Sequence, residues 1–144
     1  MLIKDVMNIN VKTIKPTDSV KNAAEKMTKN HIGSLVVIST EGQVKGIITE
    51  RDILSDVVAL GGDCTNTKVE EIMTTNIITI SPENTLEETA KEMTENKIKK
   101  LPVIDEVGKI VGIVTASDLV AYEQKMIEKL AELLVSPEVR KIGG

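Results

Sequence analysis

Apolar positions along this chain fall into two kinds of run, and the two kinds follow one another in the same order twice. A short apolar stretch, Val11–Ile14, meets Pro16, which cannot continue a ladder in a central strand. A helical stripe follows, with Val20, Ala23, Ala24 and Met27 on one face behind Ser19, a residue suited to an N-cap. Then come two β-rich runs, Leu35–Ile38 and Val44–Ile48, joined by a short polar turn containing Gly42, and a second helix that starts at Thr49. The order then returns. Ile77–Ile80 lies ahead of Pro82, and the stripe Leu86, Ala90 and Met93 lies behind Thr85, which has capping-box spacing to Glu88. The runs Leu101–Ile104 and Ile110–Val114 flank Gly108, and a helix starts at Thr115. The predicted unit is β-α-β-β-α. Its short strands are apolar on both faces and so need cover on both sides, part of which the other unit can supply.

The two units are copies. An ungapped offset of 66 residues carries Gly46-Ile47-Ile48-Thr49-Glu50-Arg51-Asp52 onto Gly112-Ile113-Val114-Thr115-Ala116-Ser117-Asp118. It also carries Met7 onto Met73, Thr13-Ile14 onto Thr79-Ile80, and Asn30 onto Asn96. Over the matched stretch roughly 18 of about 49 positions are identical. The expected architecture is therefore α/β (α+β): two repeats with pseudo-two-fold symmetry, each a small three-stranded sheet flanked by two helices. The expected organisation is a first repeat over residues 1–60, a Gly-rich linker over 61–68 and a second repeat over 69–122. A C-terminal helix extension is expected over 123–135 and a frayed tail over 136–144. The extension carries a long apolar stripe (Leu119, Tyr122, Met126, Ile127, Leu130, Leu133, Leu134), which suits packing against another subunit or the rest of the module.

Composition narrows the function classes. One repeat alone buries too little surface for comfortable stability, so the halves are expected to pack on each other. There is no Trp or Phe and a single Tyr, which argues against aromatic stacking of a cofactor or of single-stranded nucleic acid. The net charge of −4, with both signs interspersed, argues against a general electrostatic grip on nucleic acid. Cys64 is alone and so forms no internal disulfide, no apolar run approaches a membrane span, and the first residues do not read as a signal peptide. The expectation is a cytoplasmic protein with no membrane contact.

Thr49-x-x-Asp52 and Thr115-x-x-Asp118 are the candidate chemical groups. Each has the spacing of a capping box, with Thr as N-cap. The same geometry can offer a hydroxyl and free N–H groups to an anion, while the carboxylate accepts from a ribose diol. The readings are compatible, because a threonine can cap a helix and still touch a ligand. With one His, one Cys and no Gly-rich phosphate loop, neither a nucleophile–base pair nor a metal cluster can be assembled. The chain is not expected to be an enzyme.

The duplicated unit, with its Gly-h-h-Thr-x-x-Asp signature, its Thr-Ile-x-Pro lead-in and the strand Leu101-Pro102-Val103-Ile104-Asp105, resembles a tandem pair of CBS (cystathionine-β-synthase-type) domains, a Bateman module. The resemblance covers about residues 3–122. It implies a regulatory sensor of adenosine compounds (AMP, ADP, ATP or S-adenosylmethionine and its relatives) that does no chemistry of its own. It also implies a homodimer of modules, and an effector protein could read the C-terminal helix. Carried over by residue, it makes Asp52 and Asp118 ribose acceptors. It gives Thr49, Arg51, Thr115, Ser117, Lys99 and Lys100 ribose or phosphate contacts. Thr13, Ile14, Gly33, Ser34, Ile47, Thr79, Ile80, Ile98, Pro102 and Ile113 would line the adenine pocket. Where the family's kinase γ subunits often carry His or Arg against phosphate, this chain has Gly33-Ser34 in one repeat and Lys99-Lys100 in the other. The expectation is one good site, on the Asp118 side, and one weaker site. A purely structural dimerisation module is the main alternative, and nucleic-acid binding by the Lys97/Lys99/Lys100 cluster a less favoured one.

Overall fold

The computed structural model describes residues 1–135, so the expected tail over 136–144 lies outside the described residues. In the first repeat β1 is Thr13–Ile14, α1 is Val20–Asn30, β2 is Ser34–Ile38, β3 is Val44–Thr49 and α2 is Glu50–Ile53. A π-helical turn, Leu54–Val58, continues α2 and turns Val57 into the core. After a short α3 (Val69–Ile72) the second repeat follows, with α4 at Leu86–Asn96, β4 at Lys100–Ile104, β5 at Ile110–Thr115 and α5 at Ala116–Val135.

Local chemistry explains where the helices begin and end. The Ser19 hydroxyl accepts from the Asn22 N–H at 3.0 Å and opens α1. At α4 the Thr85 hydroxyl accepts from the Glu88 N–H (3.1 Å) while the Glu88 carboxylate accepts from the Thr85 N–H (2.9 Å), which completes the expected capping box. Both helices stop at a residue in the left-handed region, His31 (φ 54°) and Lys97 (φ 55°). Glycine would fill such a position without strain. The turns between paired strands use Gly42 and Gly108, both at φ 86°, where a side chain would be strained.

The helix stripes differ from expectation at one place. Ala90 is exposed, and Thr89 is fully buried in its stead. Its hydroxyl donates to the Thr85 carbonyl at 2.9 Å, so the polar atom is satisfied and the methyl faces the core, as Ala23 does in α1.

The Glu88 carboxyl is held below its ordinary value by the Thr85 backbone N–H, with help from the Thr85 side chain. A depressed carboxyl contributes stability above its unfolded value of 4.5 and loses it as pH falls through the folded value. Glu88→Gln is therefore expected to flatten the acid limb of a melting-temperature profile below about pH 4.5 while leaving the neutral plateau in place. A profile that superimposes on that of the unsubstituted protein would show that the box carries no pH dependence.

The first sheet has the order β1-β2-β3, with β1 parallel to β2 and β2 antiparallel to β3. The second sheet has β4 antiparallel to β5, and its third strand is reduced to one parallel bridge between Ile80 and Val103. Proline explains the difference. In the first repeat the Val36 N–H donates to the Lys12 carbonyl at 3.3 Å, and the matched position in the second repeat is Pro102, which has no N–H. The Ile78 carbonyl therefore has no strand partner there, and only the bonds on either side of Ile80 remain (Ile80 N–H to Pro102, 3.1 Å; Ile104 N–H to Ile80, 2.9 Å).

The lead-in segments cross between the repeats. The Ile3 and Lys4 N–H groups donate to Asn84 (2.8 Å) and Pro82 (3.0 Å), and Asn8 exchanges bonds with Ile113. The same set recurs 66 residues on: Val69 to Asp18 (2.8 Å), Glu70 to Pro16 (2.9 Å), and Thr74 with Ile47. Ile3 is thus buried with Leu101, Val103 and Val114 of the second repeat. Val69 is buried with Val20, Leu35 and Ile48 of the first. Each core is closed by a segment that precedes the other repeat, so neither closes alone. The pseudo-two-fold axis passes between Gln43 and Lys109, where Val44 donates to Gly108 and Ile110 to Gly42.

Most of the C-terminal stripe is uncovered. Leu119 packs against the second core, but Ile127, Leu130 and Leu134 are 57%, 52% and 78% exposed. Among the described residues no helix is long and apolar enough to cross a membrane.

Candidate functional site

Thr49 ends β3 and caps α2. Its hydroxyl accepts from the Asp52 N–H at 3.1 Å, and Asp52 Oδ2 accepts from the Thr49 N–H at 2.9 Å. Thr115 and Asp118 do the same at 3.1 and 3.0 Å. The capping reading of both motifs therefore holds. It uses one oxygen of each carboxylate, and among the described residues Oδ1 of Asp52 and of Asp118 accepts no bond.

Beside Thr49 lies a cavity of about 530 Å3, within the size range of small-molecule sites. Its aliphatic wall is Ile47 from the first repeat and Ile77, Ile78 and Ile98 from the second. Thr49 and Lys100 supply polar groups, with Thr74, Asn76 and Asn96 around them. Lys100 is half-buried, and its Nζ donates to Ser34 Oγ at 3.0 Å. Among the described residues no carboxylate is paired with it. The cavity thus holds an aliphatic slot at one part and a hydroxyl with an uncompensated ammonium at another. Two other hollows lie between α4 and α5 and between α1 and α2, and Lys100 lines neither.

Of the residues singled out in the sequence, Ile47, Thr49, Ile98 and Lys100 come together here. Asp52 joins them through its bonds to Thr49. Ile14 and Ile80 do not, because both are buried in the two hydrophobic cores. Thr13 and Thr79 stand half-buried just before them, and Pro102 is buried in β4. Gly33 lines the hollow between α1 and α2 with His31, under the Glu50 carboxylate. Arg51, Ser117 and Lys99 are exposed. Ile113 is paired with Asn8, and Thr115 with Asp118 belongs to the twin motif across the axis.

The sequence expectation favours the Asp118 side, in the repeat that also carries Lys99 and Lys100. The structure sets Lys100 beside both motifs: it stands opposite Thr115 in the β4–β5 register, and it lines the cavity beside Thr49, where Thr74 of the crossing lead-in bridges to Ile47. Lys100 lines the cavity of the other repeat's motif. Sequence reasoning misses Thr74, Asn76, Ile77, Ile78 and Asn96 of the cavity wall. The asparagines had a signal, since Asn10/Asn76 and Asn30/Asn96 recur at the repeat offset.

A family model described as CBS domain matches residues 3–59 and again 69–125. This chain belongs to the CBS-domain family. The tandem CBS pair resembles the uncharacterized protein MK0525 of Methanopyrus kandleri, with 32% identity over 130 residues, covering 90% of this chain and 66% of that protein. Among solved structures it is similar to the CBS domain pair of protein MJ0100 in complex with 5-methylthioadenosine and S-adenosyl-L-methionine. The identity there is 30% and the TM-score 0.74, covering 88% of this chain and 98% of the other. It is also similar to CBSX2 in complex with AMP, at 26% identity and TM-score 0.77, covering 87% and 97%. The chain also matches homoserine O-acetyltransferases, such as that of Methanosalsum zhilinae at 38% identity, but spans only 23% of that enzyme. The match says nothing about the other three quarters of such enzymes.

Proposed function

We propose that this CBS pair is a regulatory module that binds an adenosine-containing ligand in the cleft between its repeats and reports occupancy as a change in their arrangement. The observation that carries the reading is the cavity itself, which joins an isoleucine slot, the Thr49–Asp52 pair and the unpaired Lys100 ammonium. Adenine fits the slot between Ile47, Ile77, Ile78 and Ile98, held by dispersion and by backbone groups in a chain almost without aromatics. Asp52 Oδ1 accepts from the ribose diol, and Thr49 and Lys100 face a phosphate or other polar tail. Related pairs crystallised with AMP and with methylthioadenosine and S-adenosylmethionine support this ligand class. A ligand touching both repeats shifts their arrangement only by its differential affinity for the alternatives. In this reading the module works in the cytoplasm as a homodimer, and the exposed stripe of α5 meets the second copy or an effector protein.

Thermal unfolding against AMP, ADP, ATP, S-adenosylmethionine and methylthioadenosine tests it. A true ligand at 100 times its Kd adds about 2.7 kcal/mol and raises the midpoint visibly. If none of the five moves the midpoint while the protein remains an oligomer, the exposed stripe favours the second reading, a structural dimerisation module whose Thr-x-x-Asp motifs only cap helices.

A further inference from the structure

The two helical hollows occupy the same place in the two repeats. Ala24 and Ile53 border the one between α1 and α2, and their counterparts Ala90 and Leu119 border the one between α4 and α5. Apolar side chains stand uncovered on both helical faces: Leu54 of α2 is 60% exposed, and its counterpart Val120 of α5 is 56% exposed. An apolar hollow with exposed apolar neighbours marks a surface that another chain can cover. The charges on the two faces, however, are opposite. Each charged residue of α1 is reversed at the repeat offset in α4: Lys21 by Glu87, Glu25 by Lys91, Lys26 by Glu92 and Lys29 by Glu95. α4 also has Glu88 where α1 has Asn22. Three lysines and one glutamate give α1 a charge of +2, while four glutamates and one lysine give α4 −3. Lys26 and Glu92 are half-buried and the others are exposed. Among the described residues no ion pair joins α1 to α4 within the chain.

We infer that a second copy of this chain covers these faces in antiparallel fashion, with α1 of each copy against α4 of the other. The inference rests on the homodimer of the proposed function and fixes its orientation. A two-fold dimer can cover both faces in two ways. Like repeats facing each other set +2 against +2 and −3 against −3. Unlike repeats facing each other set +2 against −3 twice. Like-charge juxtaposition disfavours the first arrangement, and complementarity selects the second. α2 adds the exposed Glu50, Arg51 and Asp56, a net −1, and Glu123 of α5 adds −1 beside the other hollow, so the contrast between the faces persists.

Sedimentation equilibrium of full-chain variants reads the orientation. Lys21→Glu with Lys29→Glu is expected to weaken the dimer about tenfold or more, because exposed pairs contribute little singly and the two-fold axis counts each one twice. Glu87→Lys with Glu95→Lys should weaken it as much. All four changes in one chain should restore the unsubstituted dissociation constant, and so should the two double variants mixed one to one. That rescue separates charge pairing from damage to the fold. In a parallel dimer each reversed helix would still face its own like, and neither double change would weaken association. A dimer left unchanged or tightened by either double change would therefore overturn the antiparallel orientation and leave the homodimer standing. So would a loss that the fourfold variant does not restore. An unsubstituted protein that stays monomeric would overturn the orientation and the homodimer together, and leave the adenosine reading to its own thermal test.

Discussion

Asp52→Ala is expected to weaken adenosine binding in the Thr49 cleft about a hundredfold, whereas Asp118→Ala leaves that affinity unchanged. The proposed ribose diol gives two hydrogen bonds to one carboxylate. Bonds to a charged group contribute about 1.5–3 kcal/mol each, so losing the pair costs at least about two powers of ten in Kd. The substitution also removes the acceptor for the Thr49 N–H, now at 2.9 Å, so about 1 kcal/mol of stability should go with it. The two effects separate experimentally: titration reads the affinity, and denaturant unfolding without ligand reads the cap. Equal ligand affinity in Asp52→Ala and the unsubstituted protein would remove Asp52 from the site and leave it as a capping residue. A larger loss in Asp118→Ala would return the principal site to the side favoured by sequence alone.

The second large effect is expected at Gly46. A Cβ there would lie 2.5 Å from the Thr74 carbonyl oxygen, in the lead-in paired with Ile47, and 3.2 Å from the Met73 sulfur. Backbone cannot swing aside as a side chain can, so Gly46→Ala must push the lead-in off β3 or distort the strand. Overpacking of this kind costs about 3 kcal/mol and should lower the midpoint by about 10 °C. Gly112 is its equivalent in the second repeat. There the close contacts are mostly to the flexible Met7 side chain, and the nearest backbone atom, the Asn8 oxygen, stands at 3.3 Å. Gly112→Ala should therefore cost only about 1 kcal/mol. Because Thr74 and Asn76 also line the cavity, Gly46→Ala should weaken ligand binding as well, and Gly112→Ala should not. Equal losses of stability at the two glycines would mean that the lead-ins yield freely and that the crossing is loosely held.

The amino-acid pattern carried much of this molecule. The stripe Val20, Ala23, Met27, the caps Ser19, Thr85, Thr49 and Thr115, and both strand pairs were legible because each is set within a few residues. Helix period, strand propensity and capping chemistry are local. Two local features were misread or unseen. The apolar stripe puts Ala90 on the buried face because Thr89 counts as polar, although the Thr89 hydroxyl finds the Thr85 carbonyl inside its own helix. The missing third strand of the second sheet follows from the absent N–H of Pro102, but only the register with the lead-in makes that absence matter.

The sequence by itself determined that there are two equivalent units, what each is built from, and that Thr-x-x-Asp stands at the strand-to-helix turn of both. Only the tertiary structure decided which parts of the two units meet. A repeat states that Lys100 is equivalent to Ser34 and Asp118 to Asp52, and it is equally consistent with sites built within one repeat or across both. The crossing of the lead-ins breaks that tie. Ile3 closes the second core and Val69 the first, and Thr74, bridged to Ile47, lines one cavity with Thr49 and Lys100. Those contacts join residues far apart in the chain and depend on burying the apolar faces of both sheets at once, which no local period records.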